Sequence, residues 1–141
     1  MSTRCQLAIY PDEKSKIESA EVFIYKHSDG YPEGVIPTIM PFLNWFEQNR
    51  GISDESYCTA RLVAHLVLCN DNTVRKFKSK ETSPVTDFVD CLGFGVDTTL
   101  HGDIEFFYHI SPKMVQVFKT DSDDADSWEI VGIYKIFEVV A

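Results

Sequence analysis

Polar and apolar residues alternate in two short segments near the amino end of the chain. Residues 4–10 place Cys5, Leu7 and Ile9 on one face, and residues 20–27 are rich in β-branched and aromatic side chains. A two-residue period of this kind is typical of a half-buried β-strand. The pattern therefore predicts two strands that pair as a hairpin with a long connecting loop.

The middle of the chain changes to helical spacing. Apolar residues recur every three or four positions over residues 35–50, and a second helical segment over residues 53–69 is apolar nearly all round from residue 62 onward. The first pattern predicts an amphipathic helix and the second a central, largely buried one. Pro37 and Pro41 lack the amide that the helix ladder needs, so the first helix is expected either to have a distorted first turn or to begin near Pro37.

The last third of the chain returns to strand patterns, after a basic stretch at residues 73–90 that is predicted to be a surface loop. The predicted strands cover residues 91–97, 103–110, 114–119 and 128–140. The resulting order is β-β-α-α-β-β-β-β over a single domain, residues 1–141. Strands grouped at both ends of a helix pair predict an α+β fold, with a mainly antiparallel sheet and two helices packed on one face.

Composition excludes several functional classes. The 141-residue chain has a net charge of −9, and such an acidic protein is poorly suited to duplex nucleic acid, which is bound by many lysines and arginines. No run approaches the roughly 18 apolar residues of a membrane span, and the amino end lacks a secretory apolar core. The four scattered cysteines lie among apolar residues and are expected to be reduced, buried thiols. These features predict a cytoplasmic protein with no membrane partner.

Two stretches carry an unusual density of chemical groups. Residues 25–34 combine a lysine, a histidine, acidic residues and two tyrosines, and residues 99–105 repeat the pairing of histidine with carboxylates. Side chains two positions apart in an extended chain point to the same side. His27 and Asp29 therefore share a face, as do the polar residues around His101, and we expect the two stretches to converge on one site.

That site would combine cations, acceptors and aromatic rings. Arg4 would lie beside the second strand, and Gly30 is expected to adopt a positive φ at the turn into the first helix. The predicted ligand-binding residues are Arg4, Tyr25, Lys26, His27, Asp29, Tyr31, His101, Asp103 and Glu105. Trp45 is a further ring that could stack on a ligand. The same residue types also occur at strand ends that only turn the chain.

The motif segments resemble those of a group of small uncharacterised proteins from bacteria, archaea and their phages, which carry an R-H-x-D-G-Y-P-like motif. The matching residues are Ser2 to Cys5, Tyr25 to Glu33 and His101 to Glu105. Lys26 stands where the motif has arginine, which keeps the charge but not the bidentate geometry. The resemblance implies a shared site and no particular chemistry.

The leading hypothesis is a cytosolic small-ligand-binding protein rather than an enzyme. Its ligand would be small and anionic or nucleotide-like, as in a phage-type protein that sequesters a nucleotide-derived signal. P-loop, Rossmann and nucleophile-elbow motifs are missing from the sequence, and no cofactor is expected. One alternative is a metal-assisted hydrolase that uses His27, Asp29, His101 and Asp103. A second is a protein–protein adaptor with an exposed Phe42 and Trp45 patch. Homo-oligomerisation is left open.

Overall fold

The computed structural model describes residues 3–69 and 93–136 of the chain. It has the predicted order of elements and the predicted α+β class. The strands are β1 (Cys5–Ile9), β2 (Phe23–Lys26), β3 (Phe94–Asp97), β4 (Phe106–Ile110), β5 (Met114–Lys119) and β6 (Glu129–Lys135), and the helices are α1 (Pro32–Asn49) and α2 (Glu55–Leu68). The basic stretch at 73–90, Cys91 and the end of the last predicted strand lie outside the described residues.

The strands form one sheet in the order β3-β2-β1-β4-β5-β6. The predicted hairpin is confirmed, since β1 and β2 are antiparallel with Leu7 opposite Ile24. The pairing of β1 with β4 is parallel, with Cys5 opposite Phe106, while the other four pairings are antiparallel. Strand β1 therefore lies inside the sheet, where its five residues are all buried.

The two faces of the sheet are covered differently. Helices α1 and α2 pack on one face, where Leu43 and Leu62 join Leu7 in the main core. The other face is covered by loops and two short 3-10 turns, and its smaller cluster includes Tyr10 and Phe107. Because neighbouring residues of a strand point to opposite faces, the side chains of β1 and β2 divide between these two surroundings.

Helix α1 begins three residues earlier than predicted, at Pro32. Proline suits the first helical position because its fixed φ is already helical and its missing amide would have no partner there. Pro37 and Pro41 lie inside the helix. Both are exposed, so the carbonyls of residues 33 and 37, whose usual amide partners are missing, lie on the side where water can reach them.

The thiols differ in exposure. Cys5 and Cys58 are buried, as predicted, but Cys69 is exposed. The prediction for Cys69 was wrong because this residue follows the last turn of α2 and no longer belongs to the face that packs on the sheet. Neither α1 nor α2 is long and apolar enough to cross a membrane.

Candidate functional site

Tyr25 is the centre of the site, on the sheet face opposite the helices. It lies on β2 between Gln6 of β1 and Gly95 of β3. Its hydroxyl is 3.0 Å from Nδ1 of His27, and its ring stacks on the ring of His101 with a centroid distance of 4.5 Å. The two sequence stretches thus meet at one tyrosine, with a histidine from each stretch in contact with it.

Gln6 positions the second stretch, and the sequence patterns did not indicate it. Its side chain is fully buried. Its Nε2 donates to the carbonyl of Thr99 at 3.1 Å, and its Oε1 accepts the amide of His101 at 2.8 Å. Both ends of one amide are therefore used to hold the loop against the sheet. The sequence offered one signal for this role, which is a polar residue in the middle of a short, largely apolar strand. Such a residue needs hydrogen-bond partners when the strand is buried.

Carboxylates flank the ring of His101 on both sides. Nε2 of His101 is 2.8 Å from Oδ2 of Asp97, and Nδ1 is 3.6 Å from Oδ1 of Asp103. Although the Asp97 contact is short, Oδ2 of Asp97 is a buried atom with no hydrogen-bond partner among the described residues. The contact is therefore poorly aligned for a hydrogen bond. Asp97 ends β3, and its role was not predicted from the sequence.

Arg4 extends this row of charged groups. Its Nε lies 3.6 Å from Oδ2 of Asp103, which is an ion-pair distance but too long for a hydrogen bond. Within the part of the chain that the structure describes, this Nε is a buried donor without a hydrogen-bond partner. Because this atom is closed to solvent, an acceptor that approaches the site would meet the rest of the Arg4 side chain, which is 37% exposed.

The hydroxyl of Tyr25 keeps its proton. Burial and the Asp103 carboxylate raise the pKa of Tyr25, and the Arg4 guanidinium opposes them only in part. The phenol is therefore neutral at physiological pH and can donate or accept a hydrogen bond.

Lys26, Asp29 and Tyr31 form a separate group. Because Lys26 follows Tyr25 in the strand, its side chain points to the opposite face, toward the ring of Phe94. Its ammonium donates to the carbonyls of Ser28 and Asp29, and burial lowers the pKa of Lys26. The hydroxyl of Tyr31 donates to Oδ1 of Asp29 at 3.3 Å. The structure does not bring these three side chains together with Arg4 and His101.

The prediction that Gly30 has a positive φ was wrong. Asp29 adopts the left-handed conformation, with φ of 56°. Glycine is required at position 30 for a different reason, which is close packing. Its amide donates to the carbonyl of Thr3 at 2.9 Å, and an added Cβ would lie 2.9 Å from Cβ of Cys5. The carbonyl of Gly30 also accepts the buried hydroxyl of Tyr108 at 2.6 Å.

Glu105 contributes through its backbone, since its amide donates to the carbonyl of Arg4 at 2.8 Å while its side chain is exposed. Trp45 is 58% exposed and belongs to α1, across the sheet from Tyr25. Phe42 is half-buried and stacks on His65, so it does not join Trp45 in one exposed patch. The adaptor hypothesis gains nothing from this arrangement.

The described residues contain no group of three or more His, Cys, Asp or Glu side chains that could hold a metal ion. The four residues of the hydrolase alternative are divided, because Asp29 faces Tyr31 rather than the histidines. A groove of about 970 Å³ lies elsewhere, between the start of α2 and the segment before β2. None of the predicted ligand-binding residues lines that groove.

Comparison with known proteins returned no matching family model, no matching curated protein and no matching solved structure. The functional argument therefore depends on the geometry around Tyr25.

Proposed function

We propose that the protein binds a small anionic ligand, of the nucleotide class, on the Tyr25 face of the sheet and releases it unchanged. The observation that carries this proposal is the row of Arg4, Asp103, His101, Tyr25 and His27, in which donors, an acceptor and stacked rings occupy one surface. This combination matches a ligand that is charged at one end and planar at the other.

The planar part of the ligand would stack on the His101 ring, which itself stacks on Tyr25. The ring of His101 lies on Tyr25, and its side chain is 35% exposed. A base placed on the outer face of the imidazole would become the third ring of the stack. Stacking of a base on a protein ring contributes about 1–3 kcal/mol and tolerates different bases.

The charged part would be held by Arg4 and His27. The Arg4 side chain is 37% exposed, and guanidinium groups bind phosphate oxygens with directional hydrogen bonds. His27 is exposed, with Nδ1 engaged by Tyr25, so that Nε2 remains for the ligand. Asp103 would accept from a hydroxyl or amino group.

Such a protein would sequester a nucleotide-derived signal in the cytoplasm. The buried free thiols at Cys5 and Cys58 suit a reducing compartment, which is where intracellular nucleotide signals occur. The acidic chain would not compete for duplex nucleic acid, because only a few cations gather at the site.

Calorimetric titration with linear and cyclic mono- and dinucleotides tests this proposal, with adenosine and inorganic phosphate as controls for the two halves. Arg4→Met should weaken nucleotide binding by about 1.5–3 kcal/mol, since it removes a charge-assisted hydrogen bond. Lys26→Met is the matched control, because it removes a cation on the opposite face of the sheet. Chromatography should recover the nucleotide intact.

Three results would contradict the proposal. One is the absence of binding for the whole panel at millimolar concentrations. Another is an equal loss of affinity in the Arg4 and Lys26 variants, which would place the ligand elsewhere. The third is binding that requires a divalent metal and is followed by conversion of the nucleotide, which would favour the hydrolase.

A further inference from the structure

A groove of about 970 Å³ lies beside α2, on the face of the sheet that the helices cover. One wall is formed by α2 between Glu55 and Val63, and the other by the end of β1, the segment before β2 and Val96 of β3. Val96 lies opposite Ile24 of β2, which belongs to the core under the helices, so the groove and Tyr25 are on opposite faces of the sheet. Sites for small molecules usually have volumes of roughly 300–1,000 Å³. This groove is therefore large enough for a small ligand and separate from the Tyr25 site.

Helix α2 lines the groove with a stripe of residues next to the one that it buries. The buried stripe consists of Cys58, Leu62 and Leu66. The members of the groove stripe have the three- and four-residue spacings of one helical face, and they are Glu55, Ser56, Thr59, Ala60 and Val63. Ser56 and Ala60 are exposed, so this side of the helix offers surface that a ligand can cover.

The floor of the groove is aliphatic. Ile9 and Val63 line it beside the core, and Val22 and Val96 continue it outward along the sheet. Val22 is 37% exposed and Val96 is 59% exposed. Covering exposed apolar side chains is favourable because it removes their surface from water. The floor would therefore contribute to the binding of a ligand with an apolar body.

The charged side chains among the described lining residues are all acidic. They are Glu21 and Glu55, and neither carboxylate forms an ion pair within the described residues. Burial and the nearby Glu21 carboxylate raise the pKa of Glu55, because both effects penalise its charged form. A cation beside the two carboxylates would offset this penalty. Charge complementarity therefore favours a positively charged ligand and opposes an anionic one.

We propose that this groove binds a small amphiphilic cation, an organic amine whose ammonium group pairs with Glu21 and Glu55 while its apolar body lies on the aliphatic floor. A hydrophilic polyamine would leave the floor uncovered, and an uncharged apolar molecule would leave the two carboxylates unpaired. The groove is on the other face of the sheet from Tyr25, so this inference stands independently of the proposed function.

NMR titration of the full chain at neutral pH tests the proposal with three probes that share one apolar body. They are 4-phenylbutylamine, 4-phenylbutanol and 4-phenylbutyrate. The amine should shift the amide signals of Val63 and Val96 saturably, the alcohol should bind several-fold more weakly, and the carboxylate should bind most weakly. Equal affinities for the three probes, or no saturable shift at millimolar amine, would overturn the proposal. Signals of the groove that change with protein concentration alone would identify a second copy of the chain as the occupant and would equally overturn it.

Neutral variants of the two carboxylates test the charge pairing. Glu21→Gln and Glu55→Gln should each weaken binding of the amine by roughly two- to fivefold, as expected for exposed ion pairs, and should leave binding of the alcohol unchanged. Glu129→Gln is the matched control, since it removes an exposed carboxylate from β6 at the far edge of the sheet. Losses no larger than that of the control would contradict the pairing. As a second readout, saturation with the amine should return the pKa of Glu55 toward its ordinary 4.5, and an unchanged carboxyl titration would contradict the contact.

A blocking variant tests the floor. Ala60→Trp adds a large side chain at an exposed position of the groove wall, where it should fill the space without disturbing the core. We expect it to weaken binding of the amine and of the alcohol to the same extent, with an unchanged circular dichroism spectrum. Unaltered binding of the amine to this folded variant would place the ligand outside the groove.

Discussion

The ring of His101 lies on the ring of Tyr25, with centroids 4.5 Å apart and planes inclined by 22°. The two residues are 76 positions apart in the chain and come from different stretches of polar sequence. What holds them in this arrangement is Gln6, which bonds the loop on either side of position 100. One buried amide on β1 therefore helps to hold His101 where its ring meets Tyr25.

Replacement of Gln6 by methionine should release this loop. The change keeps the length of the side chain but leaves the carbonyl of Thr99 and the amide of His101 without their partner, and we expect a loss of about 1–3 kcal/mol in the free energy of unfolding. Urea denaturation measures the loss, and the ring-current shift of the His101 imidazole protons should diminish. Gln48→Met, on the exposed face of α1, is the control. An unchanged His101 spectrum would show that Gln6 does not position the ring.

Gly30→Ala should destabilise the protein through a steric clash rather than through φ. The added methyl would lie 2.9 Å from both Cβ of Cys5 and the carbonyl oxygen of Thr3. Overpacking of this kind typically costs about 1–3 kcal/mol. Gly102→Ala is the matched control, since nothing lies within 4 Å of its added methyl. Thermal unfolding compares the two variants, and equal melting temperatures would contradict the packing argument.

His109 should make the protein less stable in acid. Its Nε2 contacts the carbonyl of Ser15 at 2.8 Å, its ring stacks on Tyr10, and Nδ1 is a buried atom without a partner in the described structure. Burial lowers the pKa of His109 from its usual 6.5. The unfolded chain then binds more protons between the two pKa values, so the free energy of unfolding falls as the pH drops below about 6.5.

Phenylalanine at position 109 separates this effect from other acid-sensitive groups. His109→Phe keeps a ring against Tyr10 but cannot take up a proton, and it should reduce the slope of stability against pH between about pH 7 and 5. Guanidinium denaturation over this range measures the slope. Parallel curves for the wild type and the variant would show that His109 does not contribute.

The thiols should differ in reactivity in the folded protein. Burial raises the pKa of Cys5 and of Cys58 to about 12, whereas Cys69 is exposed. Because the thiolate is the nucleophile, an alkylating reagent should modify Cys69 first and the two buried thiols only after unfolding. Peptide mapping by mass spectrometry follows each site. Rapid modification of Cys58 in the native protein would mean that α2 opens readily.

Local patterns were enough to predict the elements and the fold class. The alternation in β1 and the helical spacing of residues such as Ile39 and Leu43 depend on burial of one face, and the structure buries those faces. The parallel pairing of β1 with β4 had no local signal, since it joins residues about 100 positions apart.

The site was less predictable, because its members were chosen for their closeness in sequence although alternation along a strand sends neighbouring side chains to opposite faces. Lys26 and His27 are adjacent in sequence, so Lys26 points toward Phe94 and His27 toward Tyr25 on the other face, and only His27 joins the site. The positive φ was predicted for Gly30 but belongs to Asp29. Glycine is needed at position 30 because Thr3 and Cys5 pack closely there, and such a tertiary contact leaves no local signal in the sequence. Asp97 and Gln6 were not identified because each acts through a partner that is distant in sequence.

The central position of β1 has a consequence for the order in which the protein can fold during synthesis. Strand β1 leaves the ribosome first, but its parallel neighbour β4 is about 100 residues behind it. At a synthesis rate of roughly 5–20 residues per second, β1 waits on the order of 5–20 s for this partner. During that time only β2 is available to pair with it, so one hydrogen-bonding edge of the most buried strand stays open until synthesis reaches β4, about three quarters of the way along the 141 residues.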